Sequence, residues 1–266
     1  MNIYFFELKH LLKSLLVWTV TIAAVLLLLL KGFYPAMMES RPQMEALFAN
    51  YPPDVLRAIG MDIDKIFSFD GFYVFTFTYV GLLAAIMAVS LSLQAFSREK
   101  RGKCTDFILT KPVRRNEVFI AKSLACLTVI AIFNIVYSVL VGVSVIAETA
   151  SASLSEHLLL LLLAPFLTQL VFLSLGAAYA VWAKKVRSVS GTATALGFAA
   201  LLLSGLVEVF AYDWLNYIAP LQYFNPAFIL DSGGFEPKLV VTAALIFSAG
   251  LVSAYIRYCR EDVAAV

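Results

Sequence analysis

The sequence predicts an all-α integral membrane protein, and three observations support this prediction. Hydrophobic residues make up 61% of the 266 residues and charged residues only 14%, whereas a soluble domain carries about 25% charged residues. The mean hydropathy is +0.87. Six stretches are also long enough to cross a bilayer, whose apolar core of roughly 30 Å needs about 20 helical residues. We therefore expect one transmembrane domain over residues 1–266, with six transmembrane helices.

The predicted spans alternate with segments of very different length. The spans are residues 14–34, 71–95, 118–146, 157–182, 188–210 and 238–256. Two long segments, 35–70 and 211–237, lie on one side of the predicted membrane. A basic loop, 97–117, lies on the other side.

The distribution of Lys and Arg predicts the orientation. With the N-terminus inside, fifteen of the 20 basic residues lie in or beside cytoplasmic segments and five lie on the opposite side. Cytoplasmic loops of membrane proteins carry the excess of Lys and Arg. Both termini and the loop 97–117 are therefore predicted to be cytoplasmic, and segments 35–70 and 211–237 extracellular.

Residues 1–13 are predicted to form a separate interfacial helix, an elbow before the first span. On a helical wheel, apolar side chains share one face and polar ones lie mostly on the other, which is typical of a helix lying in the membrane surface. The apolar face consists of Tyr4, Phe5, Leu8, Leu11 and Leu12, and the polar one of Glu7, Lys9, His10 and Lys13. The alternative is a charged extension of the first span.

The two external segments are predicted to lie close to the membrane. Short amphipathic stretches, 44–48 and 55–59, predict short helices within the first segment. The second segment is rich in aromatic residues and proline, which favours a half-buried hairpin at the membrane interface.

The central loop contains a short amphipathic helix in this prediction. Thr105 or Cys104 begins it, Asp106 suits its first turn, and Pro112 ends it. The three apolar residues Phe107, Ile108 and Leu109 are surrounded by basic residues. Such a surface suits docking onto a cytoplasmic partner. The alternative is a basic loop that anchors to anionic lipid.

The spans contain few polar groups. Asn134 and Gln169 are neutral, and each is either a residue of a transport path or a helix-to-helix hydrogen-bonding group. Glu208 lies near the outer end of the fifth span. A chain of acids that could relay protons or sodium ions is missing, so an ion-coupled carrier is not expected.

The sequence predicts no catalytic, cofactor or metal site. It has no G-x-x-x-x-G-K-[ST] phosphate loop, and its cysteines and histidines lack metal-binding spacing. The spans show no nucleophile with a base and no paired acids, which an intramembrane hydrolase needs. The chain is therefore not expected to be an enzyme.

The central loop resembles the signature of type-2 ABC exporter permeases. The matching residues are Glu99, the run 106–111, Pro112-Val113, Arg115, Glu117 and Lys122. The N-terminal helix, the six spans, the basic turn after the fourth span and the proline-containing segment before the sixth are also similar. Lys103-Cys104 departs from the Gly-Thr pair of the family, and Arg114 replaces a smaller residue.

This resemblance implies a membrane permease that couples to a separate cytoplasmic ABC ATPase subunit. ATP and Mg would be bound by that subunit and not by this chain. The implied coupling residues are Glu99, Thr105, Asp106, Phe107, Ile108, Leu109, Lys111, Pro112 and Arg115. Glu99 is further expected to brace the second span by pairing with Arg115 or Lys122.

The resemblance also implies the other partners and the location. These are a second copy of this permease or a related one, membrane lipids, no nucleic acid, and a bacterial or archaeal plasma membrane. An aromatic and aliphatic path favours an amphipathic or lipophilic cargo, such as a drug, a peptide or a lipid-like molecule. The alternative is a non-transporting immunity or sensor component that associates with an ATPase.

Overall fold

A computed structural model describes residues 3–98, 101, 114–147, 156–210 and 212–260. These residues form helices joined by turns, with no strand among them. Six of the helices in this part of the chain are long and apolar enough to cross a membrane. The predicted all-α class and the number of spans are therefore confirmed.

The first candidate span is one long helix. Helix α1 (Ile3–Leu27) continues through a π-helical stretch (Leu28–Phe33) into α2 (Tyr34–Glu39). Residues 3–13 are part of α1 without a break, and a separate elbow helix is not seen. This continuity agrees with the alternative interpretation, a charged extension of the first span.

The other five candidate spans are single long helices. They are α5 (Phe69–Phe96), α6 (Arg115–Ala147), α7 (Leu158–Trp182), α8 (Val189–Phe210) and α11 (Pro237–Arg260). Short helices occupy the connecting segments: α3 (Arg41–Phe48), α4 (Pro53–Ala58), α9 (Asp213–Asn216) and α10 (Pro226–Ser232).

Local capping explains where several helices begin and end. The Ser68 side chain accepts a hydrogen bond from the Gly71 amide at 3.1 Å at the start of α5. Asn225 caps α10 through the Ala227 amide at 2.8 Å. Gly233 ends α10 with φ of 74°, a left-handed conformation that favours glycine.

Helix α5 is the centre of the bundle. It packs against α1, α6, α7 and α8, while α11 packs on α7 and α6. It is the most buried of the six candidate spans, so the lipid-facing surface belongs mainly to its neighbours. On α6, for example, the exposed side chains Ile135, Val139 and Val143 recur every four residues and form one apolar face.

Glycines permit close crossings of the central helices. A Cβ on Gly176 of α7 would meet the Ser92 side chain and lie 3.0 Å from Val89 Cα of α5. A Cβ on Gly250 of α11 would lie 2.9 Å from Ser174 Oγ of α7. Helix backbones therefore approach closely at these two crossings, as small residues allow.

The two ends of the bundle are held by different contacts. At one end, called the basal end here, the first turns of α1 and α6 meet the last turns of α5 and α11. The opposite, distal end carries the short helices. There Lys65 Nζ donates to both carboxylate oxygens of Asp231, at 3.0 and 3.1 Å.

Candidate functional site

A buried cluster of three charged residues joins three helices at the basal end. Lys122 Nζ of α6 lies 3.1 Å from Glu7 Oε1 of α1. Arg98 Nη1, just beyond the end of α5, lies 2.9 Å from Glu7 Oε2. The Lys122 side chain is fully buried, the Glu7 side chain is 4% exposed, and that of Arg98 is 27% exposed. We call these residues the basal charge cluster.

Lys122 also holds the last turn of α5. Its Nζ donates to the Ala95 carbonyl at 2.6 Å. The last carbonyls of a helix lack amide partners within the helix, and the helix dipole favours a cation there. One buried ammonium group therefore binds a carboxylate on α1 and a helix end on α5.

The position of Glu7 follows from the periodicity of α1. Glu7, Leu11, Leu15, Ile22 and Leu26 are all buried and recur at helical spacing. Glu7 therefore lies on the core-facing side of α1, although the helical wheel assigned it to the polar face. A buried carboxylate needs opposite charges as partners, and Lys122 and Arg98 supply them.

Two residues of the basal charge cluster flank the basic segment 97–117: Arg98 is its second residue, and Lys122 lies five residues beyond its end. Helix α5 ends at Phe96, one residue before that segment. Ser97 Oγ donates to the Leu93 carbonyl at 2.6 Å and accepts a hydrogen bond from Arg101 Nε at 3.1 Å. At the other end, Arg115 Nη1 donates to the Cys259 carbonyl of α11 at 3.5 Å. Both ends of the segment are thus tied to the bundle.

Four aromatic rings pack beside these charges. Phe119 of α6 lies 5.0 Å from Phe96, 5.4 Å from Tyr255 and 5.6 Å from Tyr258, measured between ring centroids. Such aromatic pairs contribute about 0.5–1.5 kcal/mol each beyond area burial. The basal ends of α5, α6 and α11 therefore form one packed unit.

Most of the predicted coupling residues lie outside the described residues. These are Glu99, Thr105, Asp106, Phe107, Ile108, Leu109, Lys111 and Pro112. Arg115 is described and begins α6. Lys122, a predicted partner of Glu99, binds Glu7, and the Glu99 pairings stay a prediction.

Asn134 and Gln169 are brought together in the core. Asn134 Nδ2 donates to Gln169 Oε1 at 2.6 Å and to the Ile130 carbonyl at 2.8 Å. Gln169 Nε2 lies 3.8 Å from the sulfur of Met87. The two amides therefore link α6 to α7 beside α5. This geometry favours helix-to-helix hydrogen bonding over a role in a transport path.

Only part of the basal charge cluster could be predicted from the sequence. Lys122 was noted through the family resemblance, but Glu7 was interpreted as part of a solvated face. A single acid at helical spacing with buried leucines, Glu7-x-x-x-Leu11-x-x-x-Leu15, is the signal that would have placed it in the core. Its partners are 91 and 115 residues away, and no local pattern identifies contacts at that distance.

These features define a polytopic α-helical membrane protein whose helices are joined at one end by buried charges. Among the described residues, no group of three His, Cys, Asp or Glu side chains is placed to hold a metal ion. Residues 1–263 match the family described as ABC-2 family transporter protein, and the chain belongs to that family. It is thus a membrane transport component. No curated protein matches the chain significantly.

Proposed function

We propose that this protein is the membrane permease subunit of an ATP-driven exporter. In this proposal the basal end faces the cytoplasm and docks onto a separate ATPase subunit through residues 105–112. A second copy of this chain or a related permease completes the transporter. The cargo is an amphipathic or lipophilic molecule.

The basal charge cluster is the observation that supports this proposal most directly. Segment 97–117 joins α5 to α6, and Glu7 links both of these helices to α1. A push on the segment would therefore act on three helices together. Separating the buried pairs would leave a charge unpaired in the core at a cost of about 3–5 kcal/mol, so the three helices would move together.

The steps of coupling follow from this arrangement. ATP-driven closure of the ATPase subunits would displace the segment, and α5 and α6 would tilt with it. The Glu7 contacts would carry the motion to α1, which spans the same membrane. Because α5 also packs against α7 and α8, its tilt would reach a path between two permeases.

Partner identification tests the proposal. The permease is purified in mild detergent and its partners are identified by mass spectrometry, with an ATPase containing a phosphate loop as the expected partner. The double variant Phe107→Asp with Leu109→Asp is expected to lose this partner, because two carboxylates replace the apolar docking surface. ATP-dependent export should be lost with it.

A matched double variant controls for general damage. Leu47→Asp with Val55→Asp changes two exposed apolar residues at the distal end and should retain the ATPase. The coupling proposal is wrong if no ATPase co-purifies with the unmodified chain, or if the Phe107 and Leu109 changes leave the complex and export intact. A complex that hydrolyses ATP but moves no cargo would instead indicate an immunity or sensor component.

A further inference from the structure

A cavity of about 290 Å³ opens at the distal end, far from the basal charge cluster. Its walls come from the end of α4 and the turn after it, from α5, α7 and α8, and from the start of α10 with the segment that leads into it. Ligand sites in proteins are concave, mostly apolar and largely preformed, with volumes from about 300 Å³ upward. This cavity lies just below the lower limit of that range.

The cavity wall includes apolar side chains and reaches into the candidate membrane region. Phe77 and Leu201 line it from α5 and α8, and Gly81 lies at its inner limit. Gly81 is twelve residues beyond Phe69, the first residue of α5, which corresponds to roughly 18 Å along the helix.

A hydrogen-bonded chain of side chains fixes one acid in the cavity wall. Gln222 Nε2 donates to Glu208 Oε1 at 2.8 Å, and Asn225 Nδ2 donates to Gln222 Oε1 at 2.6 Å. Gln222 is only 7% exposed, so its side-chain amide makes these contacts largely shielded from solvent. Among the described residues, no Lys or Arg side chain forms an ion pair with Glu208, and its exposed side chain is accessible to a ligand at the cavity mouth.

The net charge of the cavity is negative. Its charged residues are Asp62, Asp64, Glu208 and Arg57. Arg57 lies 3.8 Å from Asp54, an acid outside the cavity. The lining therefore attracts cations and disfavours anions.

We propose that this cavity is a binding site for an amphipathic organic cation. The ammonium group pairs with Glu208, and the apolar part packs against Phe77 and Leu201. Glu208 determines the preferred head-group charge, while Gln222 and Asn225 are positioning residues that hold the carboxylate.

This assignment deepens the proposed transport function, because it names the charge class of a ligand that an exporter would release or recognise at its outer end. Binding itself needs no ATPase. The site is therefore tested on the permease alone, and failure of one proposal can be distinguished from failure of the other.

The test uses two probes that differ in charge. The full-length permease is placed in nanodiscs of zwitterionic lipid and titrated with 1-naphthylmethylamine, a cation, and with 1-naphthylacetate, an anion. Naphthalene fluorescence reports binding, and empty nanodiscs correct for partition into lipid. We expect saturable binding of the amine, weaker binding at high salt, and at least about tenfold weaker binding of the acetate.

Two variants test the assigned contacts. Glu208→Gln keeps the shape of the side chain and should weaken amine binding about tenfold, which corresponds to about 1.4 kcal/mol. Gly81→Leu should block the site, since a Cβ there meets only the Phe77 ring, at 3.5 Å, and the larger side chain has room to enter the cavity. Glu39→Gln removes an exposed acid outside the cavity and should change nothing.

Other results of these binding measurements would contradict the assignment of the site. Equal binding of amine and acetate, or unchanged amine binding by both Glu208→Gln and Gly81→Leu in permeases of unchanged thermal stability, would overturn the assignment. If the amine binds as expected but no ATPase co-purifies with the unmodified chain, the binding site is retained and the exporter proposal is rejected.

Discussion

Lys122 Nζ, fully buried on α6, lies 3.1 Å from Glu7 Oε1 on α1 and donates to the Ala95 carbonyl of α5 at 2.6 Å. These contacts cross between three helices where they flank the basic segment. The permease thus has an internal link between the helices that border its proposed docking segment. Its strength can be measured.

Lys122→Met should strongly destabilise the protein. The substitution keeps the apolar volume but leaves Glu7 with Arg98 as its remaining charged partner among the described residues, and breaking a buried pair costs about 3 kcal/mol or more. Thermal unfolding in detergent provides the measurement. Lys238→Met, at an exposed position, should shift stability by no more than about 0.5 kcal/mol. Equal effects of the two changes would show that the buried pair contributes little.

The Asn134–Gln169 contact should give a non-additive pair of mutations. Asn134→Leu and Gln169→Leu should each cost about 1 kcal/mol, because each leaves a buried amide without its partner. The double variant should cost less than the sum, since both polar groups are removed together. A double-mutant cycle of unfolding free energies measures this coupling, and strict additivity would contradict the assigned role.

Two helical glycines should respond differently to alanine. Gly176→Ala places a methyl group against Ser92 and Val89 and should force α7 away from α5. Overpacking of this kind typically costs about 1–3 kcal/mol. Gly142→Ala meets nothing within 4 Å and should be neutral or stabilising through helix propensity. Comparable losses in melting temperature would be inconsistent with the close crossing.

Tyr223 should make stability pH-dependent at high pH. Burial raises the pKa of its phenol from 10.0 to about 12, and its hydroxyl donates to the Tyr217 carbonyl at 2.6 Å. Because the folded pKa is above the unfolded one, this stabilisation is complete below pH 10 and is lost as pH rises towards 12.

Tyr223→Phe should therefore lower stability at neutral pH by about 1 kcal/mol, the usual net value of a hydrogen bond. It should also reduce the fall in stability between pH 10 and 12, measured by thermal unfolding at each pH. Tyr212→Phe changes an exposed ring and should leave both quantities unchanged. An unaltered pH profile in Tyr223→Phe would show that another group titrates.

Particular residues show how much of the site could be predicted from the sequence. The amides Asn134 and Gln169 were identified as polar residues within apolar spans, and their contact follows the expectation for isolated polar groups in a membrane. Glu7 was misassigned because a helical wheel shows which residues share a face but not which face meets the core. Phe5, placed on the apolar face, is 64% exposed, whereas Glu7 is 3% exposed.

The sequence by itself determined the membrane class, the six spans and the family, because hydrophobic length and local motifs depend only on residues near one another in the chain. The partners of Glu7, the central position of α5 and the cavity beside Glu208 were decided by tertiary structure. Each depends on contacts between helices far apart in sequence. Side chains 115 residues apart, such as Glu7 and Lys122, become neighbours only when the helices pack.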